Sequence, residues 1–144
     1  MSKVHSHAYV VDEKVFRFVL EMEVRKALRI QYPLVVLTIV RLTPTATTGS
    51  AGLADVGSIA EPLSRIIRGG DLIGLVPESP ALRVLLVGAY LEDADGVIER
   101  IRAEVPLEAT LRFGVACFLG TVTTVEELLG RADVGAGLVP RSAC

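Results

Sequence analysis

The residues that could do chemistry in this chain are few. Arg68-Gly69-Gly70-Asp71 sets a guanidinium and a carboxylate on either side of two glycines. Arginine presents a planar fork of donors that matches a phosphate, and a carboxylate accepts hydrogen bonds from N–H groups. The same four residues also make an ordinary helix end: an Arg favoured by the helix dipole, a Gly-Gly stop, and an Asp where a strand begins. Three other groups read as structural. His5 and His7 could ligate a metal, but they sit in a loose polar terminus. Glu92, Asp93 and Asp95 cluster at a helix start, where negative charge suits the dipole. Cys117 lies mid-strand as a small core residue, and neither cysteine has zinc-site spacing.

The elements that must position these residues follow from pattern. Asp12 to Gln31 predicts a helix capped by Asp12, with Val15, Phe16, Val19, Leu20, Glu23, Ala27 and Leu28 on its inner face. Pro33 stops it. Pro33 to Leu42 (PLVVLTIVRL) reads as a buried strand, and Thr43 to Ala51 as a loop. Leu53 to Arg68 returns to helical spacing and ends at Gly69-Gly70. Asp71 to Val76 and Ala81 to Val87 are strands joined by the tight turn Pro77-Glu78-Ser79-Pro80, which makes them an antiparallel hairpin. Leu91 to Val105 is a helix and Thr110 to Leu119 a strand. Thr124, with Glu127 three residues on, opens a last helix to Asp133. The order predicts an α+β fold with a ferredoxin-like core, an antiparallel β-α-β-β-α-β sheet with helices on one face and an extra N-terminal helix leading in. The expected boundaries are a flexible lead-in over 1–11, one domain over 12–133 and an irregular tail over 134–144. Within that tail LVPRS (Leu138 to Ser142) looks like a protease-cleavable linker and carries no functional reading.

Composition narrows the classes. The chain has 144 residues, 51% hydrophobic and 22% charged, enough for one aliphatic core. Its net charge of −2 gives no electrostatic footprint for a polynucleotide or an anionic membrane. The longest apolar run, Pro33 to Val40, is far short of the roughly 20 residues that span a bilayer. No secretory pattern opens the chain, and a reducing cytoplasm is the expected setting.

Several stretches resemble one family. LEMEVRKALRIQYPLVVLTI (Leu20 to Ile39), ADGVIERIRAEV (Ala94 to Val105), RFGVACF (Arg112 to Phe118) and TVEELLGRAD (Thr124 to Asp133) are similar, in that order, to segments of GGDEF domains, the bacterial diguanylate cyclases. The resemblance implies a nucleotide-cyclase-like core and a signalling context. In that family the GGDEF signature occupies the hairpin turn, which here reads Pro77-Glu78-Ser79-Pro80, so Gly69-Gly70-Asp71 lies elsewhere. The family holds Mg²⁺ with carboxylates from the first strand and the turn. Here the strand end is Val40-Arg41-Leu42, and Glu78 is the turn's one acid. The Asn used for guanine recognition has no counterpart, because the chain contains no Asn. The resemblance therefore implies a degenerate domain without catalytic residues, resident metal or cofactor. It also implies a remaining role for Arg68-Gly69-Gly70-Asp71. In many GGDEF domains an RxxD motif, with a second Arg that the resemblance assigns to Arg100, binds cyclic di-GMP as an inhibitory site. The alternative is a protein-interaction or dimerisation domain that binds no nucleotide and pairs through its N-terminal helix.

Overall fold

Pro33 follows the end of the first helix and precedes a run of β-branched and leucine residues, so the chain passes directly into an inner strand of the sheet. The structure, a computed structural model, describes residues 9–42, 60, 62–67, 71–77, 79–104, 110–118 and 124–137. The elements are β1 (Tyr9–Val11), α1 (Glu13–Ile30), β2 (Leu34–Leu42), a second helix α2 (60 and 62–66), β3 (Leu72–Leu75), β4 (Ala81–Val87), α3 (Leu91–Glu104), β5 (Thr110–Phe118) and α4 (Val125–Gly135). His5 and His7, the 43–51 loop, Arg68-Gly69-Gly70, Glu78 and LVPRS fall outside the described residues.

The sheet has five strands in the order β1-β3-β4-β2-β5. β2 lies antiparallel between β4 and β5, Thr38 opposite Arg83 on one side and Gly114 on the other. β3 and β4 form the expected antiparallel hairpin, with Leu75 opposite Leu82 and the Val76 N–H donating to the Ala81 carbonyl at 3.2 Å. These four strands are the ferredoxin-like core.

Three expectations are corrected. Tyr9–Val11, expected in a flexible lead-in, is a strand that pairs in parallel with β3, Tyr9 opposite Leu72, so the sheet is mixed. The helices cover both faces of the sheet. On one, Leu63 and Ile67 of α2 and Ala94 and Ile101 of α3 pack on Val35, Leu37 and Ile39. On the other, Phe16 and Leu20 of α1 and Leu128 and Ala132 of α4 pack on Leu34 and Val36. A strand covered on both sides buries both of its residue sets, which is why β2 is apolar without alternation. Finally, the tail expected from residue 134 begins later. Val134 and Gly135 are helical, and the cap residue Ala136 is fully buried.

The caps follow the sequence. Asp12 accepts from the Val15 N–H at 2.9 Å, and Gln31 closes α1 in the left-handed region with its N–H on the Ala27 carbonyl at 2.7 Å. The inner face of α1 is Phe16-Leu20-Val24-Ala27. Val24 replaces Val15 and Leu28, which are 43% and 55% exposed. Phe16 fits because Gly74 lies beneath it. A Cβ there would stand 2.7 Å from the ring. Thr124 caps α4 by accepting from the Glu127 N–H at 3.1 Å. Thr124→Ala is expected to cost about 1 kcal/mol, read as a lower urea midpoint with unchanged slope.

Candidate functional site

Asp71 stands where the chain enters β3. Its side chain is almost fully buried, and Oδ1 accepts from the Val87 N–H at 3.0 Å. That bond fastens the start of β3 to the end of β4, so Asp71 has a structural role as well as a chemical one. Immediately after it, Gly88 turns the chain with φ 74 and donates its N–H to the Pro33 carbonyl at 2.8 Å. This turn delivers α3, whose first turn is capped by Asp93 accepting from the Tyr90 N–H at 2.8 Å. Asp93 thus belongs to helix capping.

Arg100 is exposed two turns further along α3. Asp71 and Arg100 line the same cleft, of about 320 Å³, between α2, the end of β4 and α3. Its walls are Ile66, Ile67, Leu86 and Val97, and its mouth includes Gly88, where a side chain would meet open space. The cleft offers an apolar wall, the carboxylates of Asp71 and Asp93, the Arg100 guanidinium and accessible backbone. That set suits a planar, polar-edged ring carrying negative charge nearby.

At the opposite end of the sheet the described residues are mainly apolar. At the end of β2, Val40 packs with Ala81 and Ala136, all buried, with Leu42 and Val76 beside them. The Arg41 N–H donates to the Pro80 carbonyl at 2.8 Å, which ties the hairpin turn to β2. Among the described residues no group of three or more His, Cys, Asp or Glu could hold a metal ion.

One polar cluster escaped the reading of the sequence. Arg83, in the middle of β4, projects onto the α1/α4 face, where its Nη2 meets Asp133 Oδ2 at 2.7 Å and its Nε meets Oδ1 at 3.3 Å. Thr38 Oγ1 donates to the same Oδ1 at 2.7 Å, and Arg83 Nη1 reaches Glu13 at 3.3 Å. Arg17 extends the chain, bridging Glu13 and Glu126. Burial pulls the Arg83 pKa down, but the hydrogen bond and charge of Asp133, then those of Glu13, outweigh it and leave the guanidinium above its ordinary value. The group is permanently charged, and the cluster is a clamp that joins β2, β4, α1 and α4. The available signal was a polar residue at a core-facing position in each of two apolar strands, Thr38 in LVVLTIV and Arg83 in ALRVLLV.

No family model and no curated protein matches the chain. Solved structures do. The GGDEF domain of TpbB (YfiN) from Pseudomonas aeruginosa superposes with a TM-score of 0.77 at 23% identity, over 93% of this chain and 86% of that one. The fold is that of a GGDEF domain. The GGDEF domain of FimX from the same organism gives a TM-score of 0.76 at 18% identity, over 88% of this chain and 86% of that one. The GGDEF domain of DgcB from Caulobacter crescentus, solved in complex with c-di-GMP, gives 0.69 at 13% identity, over 85% of this chain and 78% of that one. In the GGDEF-like fold of this chain the β3–β4 hairpin turn adjoins the apolar Val40 cluster, and the Asp71 cleft lies at the other end of the same hairpin.

Proposed function

We propose that this chain is a catalytically inactive GGDEF-like signalling domain that binds cyclic di-GMP through Arg68, Asp71 and Arg100. The observation that carries the reading is that Asp71 and Arg100, distant in sequence, line one cleft. A guanine can lie along Ile66, Ile67 and Val97 with its N1–H and amino group turned to the Asp71 carboxylate. Arg100 then meets a phosphate or the acceptor edge of the base. Loss of catalysis is supported by the residues at the end of β2. Magnesium needs hard oxygen ligands, and among the described residues Val40, Ala81 and Ala136 at the end of β2 form a packed apolar cluster that supplies none.

Calorimetric titration with cyclic di-GMP tests the ligand. Binding in the micromolar range is expected, with Arg100→Ala weakening it by roughly 10- to 100-fold, the worth of one charge-assisted hydrogen bond of about 1.5–3 kcal/mol. Absence of heat with the intact protein overturns the receptor reading, and equal binding by the variant moves the site elsewhere. Incubation with GTP and Mg²⁺ is expected to yield no cyclic product, and turnover overturns the inactive reading.

A second reading, self-association through the N-terminal helix, is favoured by a different observation. The outer face of α1 carries Phe18 at 62% and Leu28 at 55% exposure, two large apolar side chains that the described residues leave open.

A further inference from the structure

Phe18, Glu21, Arg25 and Leu28 follow one another on α1 at spacings of three, four and three, so they form a single stripe along the helix. All four are exposed. Among the described residues the side chains of Glu21 and Arg25 have no ion-pair or hydrogen-bond partner, whereas Glu13, Arg17, Glu23 and Lys26 on the same helix are paired. The stripe reads apolar, acidic, basic, apolar. Reversed, it is its own complement.

We propose that two copies of this chain pair through α1 in antiparallel orientation about a two-fold axis, with Phe18 of one copy against Leu28 of the other and Glu21 against Arg25. The proposal rests on the self-association reading and is separate from the nucleotide reading. A two-fold axis makes each contact twice, and an antiparallel pair sets every member of the stripe opposite its complement. A parallel pair would face Glu21 with Glu21 and Arg25 with Arg25, so charge selects the orientation. A receptacle for the aromatic ring adjoins Leu28. A cavity of about 160 Å³ there is lined by residues that include Leu28, Gln31, Tyr32, Pro33, Tyr90 and Phe118. Phe18 of the second copy fills it as an aromatic anchor in a pocket. Its wall is stiff. The Tyr32 hydroxyl donates to Glu23 at 2.7 Å. A contact between two helices of 18 residues is smaller than a permanent interface, so the dimer is concentration-dependent.

Sedimentation of the full chain across a concentration series tests this with four proteins: the parent, Glu21→Arg, Arg25→Glu and the double exchange. These positions are exposed, and circular dichroism checks that each variant is folded. The parent is expected to dimerise and each single variant to dimerise at least 10-fold more weakly. The double exchange restores dimerisation, and so does an equimolar mixture of the two single variants, because each mixed pair then sets opposite charges across both contacts. A parent that stays monomeric overturns self-association through α1 altogether. A dimeric parent whose single variants dimerise equally well, or whose mixture fails to recover, overturns this pairing while leaving self-association standing.

Discussion

Replacing Asp133 with alanine is expected to destabilise the fold by about 3–5 kcal/mol, a large part of the roughly 5–15 kcal/mol that holds a domain of this size together. Arg83 is 7% exposed, and it would keep a charge that Glu13, at 3.3 Å, meets only in part. Thr38 would lose the acceptor for its hydroxyl in a fully buried position. The cost therefore comes from what is left behind more than from the bond removed. The contrast is the double replacement Arg83→Met with Asp133→Leu, which takes away both charges and is expected to fall within about 1–2 kcal/mol of the parent. Urea unfolding of the three proteins reads both values. A single variant as stable as the parent would show that the clamp carries no weight.

Gly114→Ala is expected to cost at least about 3 kcal/mol, above the usual range for overpacking. Gly114 sits in β5 under the C-terminal end of α4. A Cβ there would collide with the Ala132 carbonyl oxygen and the Ala136 nitrogen. Both are backbone atoms of a helix end, so no rotamer change relieves the clash and α4 must lift from the sheet. Lifting α4 also draws Asp133 away from Arg83. Gly96→Ala is the matched control. It lies on the exposed side of α3 with nothing within 4 Å of the added carbon, and the change is expected to stabilise by about 0.5–1 kcal/mol through helix propensity. Thermal or urea unfolding of both variants gives the comparison, and a mild effect at Gly114 would mean the helix end yields easily.

The local punctuation of this chain was legible. Asp12, Pro33, Thr124 and the Pro77–Pro80 turn each act within a few residues, and each bounds an element where its chemistry said it would. What depends on distant partners was not. Tyr9–Val11 is three residues long and becomes a strand only because β3 lies beside it. The helices on both faces follow from how α1 and α4 return to the sheet, which no periodicity reports. Two glycines near residue 135 argued for an early end to α4, yet Gly135 is what lets that helix approach Gly114, with 3.1 Å between an added Cβ and the Gly114 Cα. Asp71 was singled out for binding. The structure adds its hydrogen bond to Val87, a role that the letters alone do not disclose.

The placement of β2 has a consequence for biosynthesis. It is a wholly apolar run through Ile39 save for Thr38, it is an inner strand of the sheet, and both of its partners come later, at Ala81–Val87 and Thr110–Phe118. During translation Leu34–Val40 emerges long before either ladder can close, with both backbone edges open. Pairings between distant segments form slowly, and unpaired apolar strands are the usual seeds of aggregation. The interval between synthesis of β2 and of β4 is therefore a vulnerable stage for this chain, and α1, already complete and able to lay Phe16, Leu20 and Ala27 over one face of the strand, is the first described helix that can shield it, with α2 following on the other face before β4 is made.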